Sequence, residues 1–570
     1  MRRQCAMLAP LLYRLFPFLS WPRPTLQLLR GEAMAGITVG LMLLPQGVAY
    51  AHLAGMPLIT GIYASIIPAA VAILFSPSPR LGVGPTALSA LLIGASLTGM
   101  AEPGSAQWVV LAAWMAILSG LVQLSLGLVR AGWLLNLVTS PVLAGFTQAA
   151  AILILASQLP SLLGMKSDWA TVWDNPSLGL FDWRSILFGV LSIAGLVLAK
   201  KWRPAFPSAI FVIGITGIVS WAGGFADKGG AVVGHLPSGL PHFVWPGLLG
   251  WDEFGLLVMP VLVISLVSAL ETASSAQVEH QQAGTRWDSS QELIAQGMSK
   301  MSAGLFGSFA TSASFSRSAV NLLAGAKTGY SNLFSILLVV VVVLWFTPAL
   351  YHVPQSALAA IVMTAVANLV KPRAILRLFA ISRIEGGIAV ATFAITILTA
   401  PRIYWGVLAG ILLSSCYFLY NRLHPRIVEV GLHPDGSLRD RHLWHLPTLA
   451  PDVLALRMDS ELDFASAAAL ETRAANDWAR HPQYKQLALL AQPMNQIDIT
   501  GVEAFVRLER MAAKRGGLLH IVGMKLPVEQ RLKRAGLLQD NPHLRLYRTD
   551  AEFLQALAQH TANATIEYSI

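Results

Sequence analysis

Long apolar runs separated by short polar connections fill the chain from residue 33 to residue 420, and short alternating elements replace them only in the last quarter. Runs long enough to cross a bilayer, roughly 17–25 residues each, lie near 33–54, 57–76, 107–129, 137–159, 183–200 and 206–223. A second set lies near 255–280, 289–309, 330–348, 355–370, 383–400 and 403–420. Two further apolar segments, about 84–100 and 315–327, are short and open with helix-start chemistry, "VGPTALSA" and "SFSRSAVN". They are predicted as half-helices, making fourteen segments. From 450 to 560, strand-like runs ("DVLALRMDS", "QLALLAQPMN", "GLLHIVG") alternate with helical ones, the pattern of a small α/β domain.

The expected architecture is an all-α polytopic membrane domain, in two repeats, followed by that α/β domain. Residues 1–32 form an N-terminal segment, 33–420 the membrane domain (repeats about 33–223 and 255–420), 421–449 a linker, 450–560 the α/β domain and 561–570 a tail. The half-helices open at Pro85-Thr86 and at Ser316-Arg317, about 230 residues apart. A second polar interruption repeats at a similar offset: Gln46 in "LLPQGVAYA" and Glu271 in "VSALETASSAQ". Seven segments per half send the second copy into the membrane in the opposite sense, so the two half-helix N-termini converge on the midplane from opposite sides.

That convergence favours an anion. Each helix N-terminus carries unpaired N–H groups and about half a positive charge, and a facing pair makes a site for an oxyanion or halide. Pro85 suits a first helical position, where its missing N–H costs nothing. Thr86, Ser316 and Ser318 add hydroxyl donors, and Arg317 adds a planar cation. A charge inside the bilayer is expensive and faces the protein interior or a water-filled cavity. Arg317 is therefore an anion ligand or a structural arginine on carbonyls or a carboxylate. Glu271 either carries a coupling proton or pairs with Arg317 or Lys300. Gln46 is a ligand or an interhelical hydrogen bond, and Tyr50, one turn on, faces the same way. Lys300 either snorkels, neutralises Glu271 or Glu292, or lines the pathway.

Composition narrows the class. The 570 residues are 55% hydrophobic and 12% charged, far from the usual soluble balance. The net charge of +10 does not point to nucleic acid, because nine of those charges lie in residues 1–420, where loop cations orient spans. With the N-terminus inside, the cytoplasmic loops receive sixteen Lys/Arg, including Arg2, Arg3, Arg80 and Arg203, while the outside receives only Lys166, Arg184, Lys228 and Arg402. Cys5 and Cys416 offer no disulfide framework and no metal site. No catalytic triad, metal-ligand cluster or phosphate loop is visible, so an enzyme is not expected. The basic start "MRRQCAMLAPLLYRLF" lacks a cleavage pattern and reads as a retained segment.

The runs "LPQGVAYAHLAGMPLITGIYASIIPAAVAILF", "RLGVGPTALSALL", "SPVLAGFTQAAAILILASQL", "QELIAQG" and "GLFGSFATSASFSRSAVN" resemble the SulP anion transporters, the sulfate permease family that includes prestin. The resemblance implies a seven-plus-seven inverted repeat split into core and gate domains, with an anion held between segments three and ten. It implies a rocking or elevator-like motion and homodimers. By motif match it implies an anion site at Ser316, Arg317 and Ser318, with Pro85, Thr86 and Ala87 opposite, Gln46 and Tyr50 lining it, and Glu271 in proton coupling. "QIDITGVEAF" resembles the loop of a STAS domain, with Asp498, Thr500 and Gly501 at the strand-to-helix turn. Thr500 is either a phosphorylation site, as in stand-alone relatives, or an N-cap hydroxyl.

Two departures from the family pattern stand out. Relatives read "GxAN" after "ELIAQ", where this chain reads "GMSK" and has Lys300 at the asparagine. The stretch "FSPSPR" is longer than usual before its arginine, and is expected to affect only a cytoplasmic turn. The expected function is secondary transport of a small anion, sulfate first, with proton-coupled symport or exchange and without a cofactor; co-transport of H+ is favoured over Na+. Bicarbonate, chloride or a C4-dicarboxylate is the alternative within the class. A membrane-anchored STAS regulator or an anion-gated channel or motor is the alternative outside it. Expected partners are the anion, membrane lipid, a second copy and a cytoplasmic regulator at the STAS domain, with the protein in the inner membrane and both termini cytoplasmic.

Overall fold

The computed structural model describes residues 13, 15–165, 181–202, 208–367, 369–538 and 541–567. Arg2, Arg3, Cys5, Lys166 and Arg203 lie outside the described residues. The chain divides into two compact units, Met1–Ser414 and Ser415–Ile570.

Every apolar run of the first unit becomes helix: α1 (Leu26–Leu53), α2 (Leu58–Tyr63) with α3 (Ile67–Phe75), α4 (Ala87–Leu97), α5 (Ala106–Leu128), α6 (Ser140–Leu163), α7 (Trp183–Trp202) and α8 (Ser208–Ala222). The second set is α9 (Trp251–Ala283), α10 (Ser289–Leu305), α11 (Phe315–Leu323), α12 (Tyr330–Val341), α13 (Gln355–Ala367), α14 (Pro372–Ile381), α15 (Arg383–Leu398) and α16 (Tyr404–Leu423). Counting α2 and α3 as one broken span and setting aside α14, which buries no residue, these are the fourteen segments. Among the described residues, eight helical stretches are long and apolar enough to cross a membrane, and α4, α7 and α8 are shorter apolar helices. The α14 stretch was expected as a polar connection; its apolar residues fall on one stripe between Lys371, Arg373 and Arg377, which makes it amphipathic.

Packing sorts the helices into two bodies. α1 lies along α12, α10 along α5 and α3, and α9 against α5, α4 and α11. In the second, α6 packs with α13 and α15, and α7 with α13 and α8, and the two meet where α1 touches α13 and α8. The closest approaches use glycine: a Cβ on Gly61 would stand 1.9 Å from the Gly47 carbonyl oxygen, so α2 lies directly on the α1 turn that carries Gln46.

The second unit holds β3 (Ile427–Leu432), β4 (Leu438–Asp440), β5 (Val453–Met458), β6 (Gln486–Leu490), β7 (Leu519–Val522) and β8 (Leu544–Tyr547) in one sheet, ordered β4-β3-β5-β6-β7-β8. β3 pairs antiparallel with β4 and β5, and the remaining pairs are parallel. α17 (Ala467–Arg480), α18 (Ile499–Lys514), α19 (Leu526–Arg534) and α20 (Asp550–Glu567) complete it. The stretch expected as a linker, 421–449, instead supplies β3 and β4. Its strand signal is short, and only pairing with β5 reveals it.

Candidate functional site

Two residues from each repeat cross at the centre of the first unit. β1 (Val83–Gly84) pairs antiparallel with β2 (Ser312–Ala313), Val83 against Ala313 and Gly84 against Ser312. Because the strands run oppositely, α4 and α11 leave the crossing in opposite directions with both N-termini beside it. The Thr86 side chain caps α4 by accepting from Ser89 N at 3.3 Å. Ser314 caps α11, accepting from Arg317 N at 3.5 Å. Both helices therefore begin later or earlier than expected: Pro85 precedes the cap rather than opening α4, and Ser316-Arg317 sits inside the first turn of α11. Pro85 lies outside the helix because its carbonyl is needed elsewhere, as the acceptor for Arg317 Nη1 at 2.7 Å. The first amides of each helix, those of Ala87 and Leu88 and of Phe315 and Ser316, have no acceptor within their own helix.

Arg317 is 1% exposed, yet its Nε and Nη2 have no hydrogen-bond partner among the described residues. The guanidinium lies against Gly84, where a Cβ would be 3.4 Å from Nη2. Glu271 Oε2 accepts from Thr86 Oγ1 at 3.2 Å, and Tyr50 and Glu271 are both within electrostatic reach of Arg317. Neither Arg317 nor Lys300 comes within ion-pairing distance of Glu271 among the described residues. Gln46 and Tyr50 are buried one turn apart on α1, which packs on α4 and α11. A cavity of about 570 Å³ bordered by Trp133, Thr139, Ser140, Leu270, Ser274 and Gln277 runs between α6 and α9 and reaches the residue beside Glu271.

The serines divide. Ser316 is exposed, its hydroxyl 3.2 Å from Ser314 Oγ. Ser318 is committed to the scaffold: it donates to the Ser314 carbonyl at 2.8 Å and accepts from Gly82 N at 3.0 Å, fixing β1 to α11. Lys300 neither snorkels nor meets a carboxylate. It is fully buried, with Nζ 2.7 Å from Gln123 Oε1 and 2.6 Å from Ser268 Oγ, and so ties α10 to α5 and α9. Sequence reading missed Ser314, Gln123 and Ser268. Ser314 carried a usable signal, an N-cap serine three residues before Arg317, whereas Gln123 and Ser268 meet Lys300 only through packing.

In the second unit, Asp498 caps α18, its Oδ1 accepting from Gly501 N at 2.8 Å and its Oδ2 from Phe464 N at 2.9 Å. The cap is therefore Asp498 and not Thr500, which lies within the first turn. Gly501 is required, because a Cβ there would meet the Leu462 carbonyl oxygen at 2.3 Å.

Two antiparallel repeats, broken helices meeting at the centre and a buried arginine between them define a polytopic membrane transport protein. The sequence comparisons make the family explicit. Residues 29–392 match the sulfate permease family and residues 448–552 the STAS domain. The chain is 30% identical over 551 residues to sulfate transporter 4.1, chloroplastic, of Arabidopsis thaliana, covering 92% of this chain and 80% of that protein. It is also 30% identical over 519 residues to a probable sulfate transporter of Mycobacterium tuberculosis, covering 90% and 92%. The fold matches the murine Solute Carrier 26 family member A9 anion transporter in the inward-facing state, with TM-score 0.87, 20% identity and coverage of 97% and 95%. The membrane part matches the transmembrane domain of a cyanobacterial bicarbonate transporter, with TM-score 0.58, 20% identity and coverage of 69% and 98%. The chain belongs to the sulfate permease family: it is a multi-pass anion transporter with a C-terminal STAS domain.

Proposed function

We propose that this protein moves sulfate, or an oxyanion of the same size and charge, by proton-coupled symport or exchange with alternating access. One observation carries the reading: a guanidinium buried to 1% exposure, with Nε and Nη2 unpartnered, at the meeting of two helix N-termini. Buried donors left unpaired cost free energy, and a tetrahedral oxyanion satisfies them bidentately. The likeness to sulfate transporters at 30% identity favours sulfate.

Glu271 gives the site its adjustable charge. Ionised, it offsets Arg317 and repels an entering anion; protonated, it leaves the cation uncompensated. An anion and a proton then enter together, with Gln46, Tyr50 and the amides of Ala87 and Ser316 completing the cradle. The proposal extends to a homodimer in the cytoplasmic membrane with both termini inside, and to regulation through the STAS domain by a cytoplasmic partner. Labelled sulfate uptake into proteoliposomes, competed by unlabelled sulfate, bicarbonate, chloride, oxalate and succinate, tests the substrate. Competition by sulfate alone supports the reading, and stronger competition by another of these anions replaces sulfate with it.

A further inference from the structure

Away from the anion site, the densest buried chemistry lies where "FSPSPR" leaves α3. This stretch was expected to be a simple turn, but it packs inward. Ser76 and Ser78 are 4% and 2% exposed, and both hydroxyls reach Glu292 on α10, at 3.0 and 2.8 Å from Oε2. Gln296 Nε2 adds a third donor, 3.2 Å from Oε1. No cation lies within 4.0 Å of Glu292 among the described residues. Its donors are all neutral.

Ser78 also has a second neighbour. Its hydroxyl lies 3.2 Å from His280 Nε2, and His280 Nδ1 lies 2.7 Å from Thr285 Oγ1. Thr285 is exposed in the polar connection between α9 and α10, whereas His280 is 9% and Glu292 1% exposed. A continuous chain of four side chains thus runs from a surface hydroxyl to a buried carboxylate. A serine has one hydroxyl proton, so Ser78 can accept from His280 Nε2–H while donating to Glu292. That is the arrangement of a proton relay.

The charged surroundings are few. From α9, Glu279 places one oxygen 3.1 Å from Arg80 Nε, and its other oxygen is buried without a partner. Arg80 is the cation of the turn itself. α11 and α12 contribute only the amides of Asn321 and Asn332, which hold the Arg80 and Leu81 carbonyls at 3.0 and 3.1 Å. α3 and α5, which pack on α10, carry no charged residue.

We propose that Thr285, His280, Ser78 and Glu292 form a proton relay, and that Glu292 is a second proton-binding site beside Glu271. A proton from water at Thr285 joins His280 Nδ1, the proton on Nε2 passes to Ser78 Oγ, and the Ser78 hydroxyl proton passes to Glu292 Oε2. One proton enters and one carboxylate becomes a carboxylic acid; Glu292 gives that proton up to the opposite face during alternating access, and loss of the Nδ1 proton to water with gain of one at Nε2 restores the histidine tautomer. Because "SPSPR" continues directly into β1, the state of Glu292 bears on the strand that holds Pro85 against Arg317. The inference rests on the proton-coupled reading above.

The test uses the full chain in proteoliposomes with a trapped pH-sensitive dye, reading proton influx with sulfate, beside sulfate/sulfate exchange at equal pH on both faces. Ser78→Ala and His280→Gln should slow sulfate-driven proton influx roughly tenfold or more while exchange stays near the parent rate. Ser78→Thr, which keeps a hydroxyl, should restore it, and Glu292→Gln should lower the number of protons moved per sulfate. An unchanged proton-to-sulfate ratio and rate in Ser78→Ala and His280→Gln overturns the relay. Parent protein that exchanges sulfate without moving protons overturns it too, leaving the anion site standing. Parent protein that moves no sulfate overturns the sulfate reading and, with it, the relay that rests on it.

Discussion

Replacing Arg317 by glutamine removes the formal cation at the helix crossing and keeps a polar side chain of similar stem. The loss can be sized from the geometry. Two guanidinium nitrogens, Nε and Nη2, are free for an anion, and hydrogen bonds to charged groups contribute about 1.5–3 kcal/mol each. Part of that gain is offset, because the anion-free site no longer holds a desolvated, half-satisfied cation. A net loss of about 3 kcal/mol corresponds to a roughly 150-fold weaker Kd. Sulfate at about 100 times its Kd stabilises the parent by about 2.7 kcal/mol, and the same sulfate would stabilise the variant by only about 0.3 kcal/mol. The assay is the sulfate-dependent rise in Tm of purified protein in detergent, with gel filtration to show a monodisperse fold and labelled uptake alongside. Arg317→Lys should recover only part of the shift, since an ammonium lacks the planar fork. A full sulfate-induced shift in Arg317→Gln, with unchanged half-saturation of uptake, removes Arg317 from the mechanism.

Glu271→Gln should support sulfate exchange without response to an imposed pH gradient; uptake that still follows the gradient would take the coupling proton away from Glu271. Lys300→Met should leave half-saturating sulfate within a fewfold of the parent and move stability by about 1–2 kcal/mol, because the ammonium meets only Gln123 and Ser268. A drop in affinity as large as that of the Arg317 variants would instead place Lys300 at the anion. Gly61→Ala forces a methyl to within 1.9 Å of the Gly47 carbonyl oxygen and should cost at least about 1–3 kcal/mol, read as a lower Tm; a parent-like Tm would mean that α1 and α2 separate freely. Asp498→Ala should lower the stability of the STAS unit by about 1 kcal/mol through the lost cap of α18, whereas Thr500→Ala should leave it near the parent value by calorimetry.

Much of the membrane domain was legible because a bilayer leaves few choices. Every backbone polar group in hydrocarbon must be paired internally, so each run of about twenty apolar residues becomes helix, and the two short runs with "PTA" and "SFSRS" become half-helices. Arg317 was conspicuous for the same reason: a guanidinium in an apolar stretch needs an interior partner. Helix starts were less legible by one to three residues. Pro85 and Ser314 exchange roles with their neighbours because the β1–β2 pairing, 228 residues apart at Gly84 and Ser312, sets where each helix begins.

Charge alone did not tell which polar residues serve an anion and which serve the scaffold. Lys300 and Arg317 read alike as intramembrane cations, yet one is satisfied by Gln123 and Ser268 and the other retains two free nitrogens. Ser316 and Ser318 flank the same arginine, yet only Ser318 is locked by Gly82 and Ser314. "SPSPR" read as a turn because hydroxyls give no hydropathy signal for burial; only α9 and α10 arriving beside it turn its serines into ligands of Glu292.

The sequence by itself determined the membrane class, the number and order of segments, the two-repeat plan and the α/β tail, since these follow from local apolar length, helix-start chemistry and period. The tertiary structure alone decided how polar atoms are paired, because hydrogen-bond partners here lie hundreds of residues apart, 232 between Arg317 and Pro85. A donor left over after that pairing, rather than a donor merely present in the chain, marks where an anion belongs.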